Sequence, residues 1–101
     1  MRRQGKSYPH PLVVLIALDN ESDQTRIGVA AGKSVGNAVI RNRAKRLLRA
    51  AITDLIPDIT PGYDITLLAR KPIIGTKSFQ VRDALVKKLR QANLLIKKYD
   101  S

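Results

Sequence analysis

The chain is predicted to fold as an α+β domain, a small mixed β-sheet packed with helices, and three observations carry that prediction. Leu12–Leu18 is an unbroken apolar run rich in Val, Leu and Ile, as a buried strand is. Two segments repeat apolar residues at helical spacing, Ile40, Ala44, Leu47, Leu48, Ala51 and Leu55 in one, and Val81, Leu85, Leu89, Ala92, Ile96 and Tyr99 in the other. The order strand, strand, helix, strand, helix then suits two layers around one core. At 101 residues, a single domain spanning 1–101 is expected.

Taken in order, a polar opening with Pro9 and Pro11 leads into Leu12–Leu18. Asp19–Gln24 is a polar loop, and Thr25–Ala31 supplies β-branched residues at Thr25, Ile27 and Val29. These two runs are expected to pair as a hairpin. Gly32 and Gly36 bracket a loop into a helix from about Asn37 to Ile56, ended by Pro57 and the Pro61-Gly62 turn. Tyr63–Arg70 reads as a third strand, and after the Pro72–Gly75 loop a second long helix starts near Thr76 or Ser78 and closes the chain.

Charge is the loudest feature of the composition. Nineteen Lys and Arg against eight Asp and Glu give a formal charge of +11, and residues 31–56 hold six basic residues and one acidic. Such a field attracts polyanions. Residues 33–49 set Lys33, Arg41, Arg43, Lys45, Arg46 and Arg49 around the apolar stripe, with Asn37 and Asn42 among them. Asn42 falls between Arg46 and Arg49, where an amide that donates and accepts can orient phosphate or sugar. The longest apolar run is far too short to span a bilayer, and the N-terminus has no secretory pattern, so a soluble, cytoplasmic protein is expected, with no membrane partner.

Catalytic motifs are scarce. Gly28-Val-Ala-Ala-Gly32-Lys33-Ser34 has three residues between its glycines where a phosphate loop needs four, and no later strand ends in a magnesium-binding Asp. Asp19, Glu21 and Asp23 start like a calcium loop, but Gln24 stands at the obligatory glycine and Ala30 at position twelve. His10 is the one histidine, and there is no cysteine, so neither a metal site nor a nucleophile–histidine pair is expected. Only Tyr8, Tyr63, Phe79 and Tyr99 are aromatic, which makes stacking platforms for single-stranded bases few.

Three blocks make the chain resemble the protein subunit of bacterial ribonuclease P. They are Arg26-Ile-Gly28-Val, the long Lys33-Ser-Val-Gly36-Asn37-Ala-Val-Ile-Arg41-Asn42-Arg43-Ala-Lys45-Arg46-Leu-Leu-Arg49, and Tyr63-Asp-Ile-Thr-Leu-Leu-Ala69-Arg70-Lys71-Pro72. The long block resembles the family's RNR signature, and the resemblance covers roughly residues 5–96.

That resemblance implies the family's fold, similar to ribosomal protein S5 domain 2, with a left-handed βαβ crossover. It implies assistance to endonucleolytic 5′ maturation of tRNA as part of an endoribonuclease, with no catalytic residue in this chain. A catalytic RNA subunit would hold the active site and its Mg²⁺, the protein binding no cofactor of its own. The implied partners are that RNA and precursor tRNA, with no small-molecule substrate. Carried over by position, Lys33, Asn37, Arg41, Asn42, Arg43, Lys45, Arg46 and Arg49 would face RNA, and Ile16, Arg70, Lys71 and Leu95 would line the cleft for the 5′ leader. The chain departs from the family in starting about where an N-terminal helix with cleft-lining aromatics would finish. Ile16 and Leu95 also stand where members often carry an aromatic, so aliphatic contacts are expected to replace stacking. Two other classes fit the residues alone: a ribosomal or other basic RNA-binding module, and a nucleotide-dependent enzyme using Gly32-Lys33-Ser34.

Overall fold

Seven residues of strand β4 (Tyr63–Ala69) are sandwiched between two earlier strands, and this placement organises the computed structural model, which describes residues 5–95. The elements are β1 (Lys6–Pro9), β2 (Val13–Asp19), β3 (Arg26–Ala31), α1 (Ala38–Thr53), β4 and α2 (Ser78–Gln91), with single 3₁₀ turns at Ile56–Asp58 and Lys71–Ile73. The sheet order is β1-β2-β4-β3. β4 runs antiparallel to β2, with Leu15 opposite Leu67, and parallel to β3, with Val29 opposite Leu67.

The expected hairpin between the second and third strands is therefore not formed. β2 and β3 are both bonded to β4, which lies between them, and the loop at residues 20–25 crosses the end of β4 instead. The physical reason is visible in that loop. Asn20 donates its backbone N–H to the Gly62 carbonyl at 2.9 Å and its side-chain amide to Asp64 at 2.9 Å. Gly62 has φ +97, and a Cβ there would lie 2.7 Å from the Ser22 carbonyl oxygen, so only glycine lets the two segments approach this closely.

A further strand stands where the sequence reads as a polar opening. Lys6–Pro9 pairs antiparallel with β2, Tyr8 opposite Leu15, at the sheet edge where Pro9 is tolerated. The helix expected to reach Ile56 stops at Thr53, whose hydroxyl donates to the Arg49 carbonyl at 2.6 Å; a 3₁₀ turn begins at Ile56, just before Pro57. The second helix ends earlier than its periodicity suggests. Asn93 takes φ +60 and Leu94 N–H reaches back to the Leu89 carbonyl at 2.9 Å, a left-handed cap that stops the helix although Ala92 keeps the apolar spacing. Ile96 and Tyr99 lie outside the described residues.

Both helices cover one face of the sheet. Val13, Leu15 and Ala17 of β2 and Ile65, Leu67 and Ala69 of β4 meet Ala44, Leu48, Ala51 and Ile52 of α1 and Val81, Ala84, Leu85 and Leu89 of α2 in one core cluster. The core is aliphatic throughout, with no buried charged or polar residue among those described. Leu48 sits in it at 0% exposure. Leu48→Ala is therefore expected to lower unfolding free energy by about 2–5 kcal/mol, whereas Arg46→Ala, one exposed residue on the opposite face, is expected to change it by less than about 0.5 kcal/mol. Urea unfolding of the two variants checks both, and the reverse ordering would mean the helix faces are assigned backwards.

Candidate nucleic-acid interface

Helix α1 is entered through a six-residue connection whose Val35 is buried and whose Gly36 takes φ +152, with the Ile40 side chain 3.0 Å from where a Cβ would be. Asn37 caps the helix, its side-chain oxygen accepting from the Ile40 N–H at 3.0 Å. Of the two amides in the basic block, Asn37 thus has its oxygen committed to the cap, with its NH₂ left to a partner, while Asn42 is exposed on the outer face.

The cations of α1 divide by height above the core. Arg43, Arg46 and Arg49 are exposed, like Asn42 among them, whereas Arg41 and Lys45 are half-buried. A period of 3.6 sets all five helix cations opposite the Ile40, Ala44, Leu48 stripe, and the burial of Ile52 is what narrows their side. Long basic side chains tolerate this border by laying their stems along apolar surface. The Arg41 Nε is buried with no hydrogen-bond partner. None of the α1 cations forms an ion pair among the described residues. Arg49 stands where a groove of about 390 Å³ runs between α1 and the edge strand β3, lined by Ile27, Gly28, Val29 and Ile56. Lys33 is exposed on the loop before the helix, which gives a row of free cations with no carboxylate anywhere in residues 25–53.

The other face of the sheet has no described helix over it. Strand pairing sets Ser7, Ile16, Thr66 and Gly28 in one row across that face, and Pro9, Val14, Leu68 and Ala30 in the next. Val14, Ile16, Leu18 and Leu68 are half-buried there. Arg70 follows β4 in extended conformation, so strand alternation continues the Thr66, Leu68 column to it, at the end of this face; Lys71, exposed, begins the next turn. At the opposite end Asp64 holds Arg26 at 3.3 Å, an exposed pair worth at most about 1 kcal/mol.

The proposed cleft residues are therefore brought together only in part. Ile16 and Arg70 share the open face, but Leu95 packs against the helix-side core through an isolated bridge to Ile59. Tyr8 and Tyr63 also pack on the helix side, and Phe79 is on α2, so no described aromatic lies on the open face. Val14, Leu18, Thr66 and Leu68 were missed in the sequence. Their signal was present: a strand apolar at every position from Leu12 to Leu18 is apolar on both faces.

His10 forms a separate feature beside α2. Its Nδ1 accepts from the Leu12 N–H at 3.1 Å, and burial, helped by Lys88 and Lys87, holds its pKa below the ordinary 6.5. Among the described residues no group of three His, Cys, Asp or Glu could hold a metal ion, and no helix is long and apolar enough to cross a membrane.

Comparison with known proteins gives one answer. The family model described as Ribonuclease P matches residues 1–93. A ribonuclease P protein component of Oceanobacillus iheyensis is 37% identical over 94 residues, 92% of this chain and 78% of the relative. One from Bacillus cereus is 40% identical over 85 residues, 83% of this chain and 74% of that one. Among solved structures, the Staphylococcus aureus RNase P protein has a TM-score of 0.77 at 30% identity, covering 90% of this chain and 84% of that chain. The Thermotoga maritima RNase P protein has a TM-score of 0.78 at 27% identity, covering 87% and 84%.

Free, one-signed cations on a helix anchored only by its apolar face should bind RNA through phosphate. Arg43→Ala, Arg46→Ala and Arg49→Ala are each expected to weaken binding to a structured RNA and to reduce the slope of log affinity against log salt by about 1. Fluorescence anisotropy over a salt series measures both quantities. Unchanged slopes in all three variants would remove the helix from the interface.

Proposed function

This chain belongs to the bacterial ribonuclease P protein family, and from that premise we propose how its two open surfaces divide the work between two RNAs. It acts in 5′ maturation of tRNA as the protein component of ribonuclease P, part of that enzyme, and its partner is an RNA subunit. In the proposal, the outer face of α1 with Lys33 binds the catalytic RNA subunit, and the open face of the sheet with Arg70 and Lys71 receives the 5′ leader of precursor tRNA. The observation that carries the first half is the run of unpaired cations on α1, with no carboxylate in residues 25–53 to neutralise them. A helix field of that kind releases counterions when it meets RNA and screens repulsion between two RNAs held close together.

The second half rests on the apolar open face. Val14, Ile16, Leu18 and Leu68 give an extended single strand an aliphatic floor, and Arg70 a cation for its backbone. Single strands are read by stacking faces and phosphates rather than by a groove pattern. With no aromatic on this floor among the described residues, attraction is retained better than discrimination. Leu95, on the core side, has no part in this surface. Chemistry is assigned to the RNA subunit and its Mg²⁺, and the cytoplasm is the compartment in which precursor tRNA would be met.

Two outcomes test the proposal. The protein alone should not cleave precursor tRNA, while the protein added to the catalytic RNA should lower the Mg²⁺ concentration needed for half-maximal cleavage; robust cutting by RNA-free protein would sink it. The holoenzyme should also bind leader-bearing precursor tRNA only modestly better than mature tRNA, with the preference fading as salt rises, and Arg70→Ala should erase most of what is left. The ratio of the two dissociation constants at low and high salt decides this. A large, salt-insensitive preference that survives Arg70→Ala would place the leader elsewhere.

A further inference from the structure

Between α1 and the loop that leads into α2 lies a cavity of about 250 Å³. Its walls are aliphatic, formed by Ile40 and Leu47 of α1 and by Ile73 and Ile74 of the loop, with Arg43 and Thr76 as the polar groups at its rim. The surrounding surface keeps large aliphatics in water: Ile74 is 46% exposed, and Val39, one helical turn before Arg43, is 65% exposed. Exposed side chains of this size beside a formed cavity are apolar area that a bound group would remove from water.

Size and charge together restrict the occupant. The cavity holds several times the roughly 30 Å³ share of a water molecule, yet it is smaller than the roughly 300–1,000 Å³ of sites that take drug-sized ligands. One flat ring system fits that range. The cavity floor carries no charge, while the chain around it is cationic only, with Arg43 at the mouth and Lys71 and Lys77 flanking the loop in sequence. Arg43 has no ion-pair partner among the described residues. The Thr76 hydroxyl donates to the Ile73 carbonyl at 2.7 Å, so its oxygen is free to accept from an exocyclic amine or ring N–H at the mouth. Gly75, at φ +85, has nothing within 4 Å of where a Cβ would be, which keeps that side of the mouth open.

An uncharged apolar slot of one-ring or two-ring size, with the unpaired Arg43 at its mouth, matches a nucleobase whose flanking phosphates stay outside. We propose that this cavity receives a single unstacked base of RNA, held between α1 and the Ile73–Thr76 loop, with Arg43 on the adjoining phosphate. The inference rests on α1 as an RNA-binding surface and adds to it a position at which the protein senses an unpaired nucleotide rather than backbone alone. Base-paired RNA cannot supply such a base without unstacking it, so the cavity favours a loop, bulge or strand end.

The test uses the full chain and two five-residue phosphodiester probes, one with adenine at its centre and tetrahydrofuran abasic residues elsewhere, the other abasic throughout. The adenine probe is expected to bind about tenfold more tightly, the order that burying the apolar faces of one base supplies, and to shift the methyl resonances of Ile73, Ile74 and Leu47. Ile74→Asn, at a position exposed enough to leave the fold intact, should abolish the preference while leaving the affinity for the abasic probe unchanged. Arg43→Gln should weaken both probes by a similar factor. Equal affinity of the wild-type chain for the two probes overturns the proposal. So does a preference that survives Ile74→Asn with shifts at Val14, Ile16 and Leu68 instead. Neither result bears on the assignment of the α1 surface to the RNA subunit, which fails separately if the protein does not lower the Mg²⁺ requirement of the catalytic RNA.

Discussion

The entry of β4 between β2 and β3 is the constraint on which the other features depend. β3 and β4 are parallel neighbours, and parallel neighbours need a connection long enough to return the chain to the same end of the sheet. That connection is α1. Because it must lie over β3 and β4, its aliphatic stripe of Ala44, Leu48, Ala51 and Ile52 is fixed against Ile65 and Leu67, and the arginines between those positions have only solvent to face. The same insertion draws the loop after β2 across Gly62, where the Ser22 carbonyl leaves no room for a side chain.

Electrostatically, α1 is arranged against its own stability. It has no acidic residue in its first turn and no basic residue in its last, the opposite of what the helix dipole favours. Arg41 comes within four residues of the cap, and its Nε is buried without a partner. Repulsion among Arg41, Lys45 and Arg49, one turn apart, adds to this cost. The aliphatic core offsets it, and a polyanion against the exposed face would relieve the repulsion among the cations. The fold itself gives no reason for this charge arrangement.

The sheet works in a similar two-sided way. One face buries Leu15, Ile65 and Leu67 completely, while the other leaves Val14, Ile16 and Leu68 half-covered, so the same strands that hold the helices also present apolar area to solvent. Strand alternation makes the two uses independent, because neighbouring residues of β2 point to opposite faces. A substitution at Ile16 can therefore alter binding with little effect on the core, and one at Leu15 does the reverse.

Helix faces, the basic surface and the family were legible from residues alone, because a period of 3.6 puts Ala44, Leu48 and Ala51 on one side whatever the rest of the chain does. Strand pairing was not. The Leu12–Leu18 and Thr25–Ala31 runs look like a hairpin locally, and nothing within them reports that a strand nearly forty residues later will come between them, since backbone hydrogen bonding is blind to side-chain identity. β1 escaped notice because Lys6–Pro9 is mostly exposed and owes its strand form to β2. The end of α2 depended on Asn93 adopting a left-handed conformation, a choice secured by the tertiary position of Leu94 in the core rather than by any change in periodicity. Likewise Ile16 and Leu95 could be grouped only by analogy. The sequence determined that this chain carries an aliphatic core and a helix with a one-signed basic face; which apolar residues share a surface was decided by the sheet order, because distance in space, unlike periodicity, is not a local property.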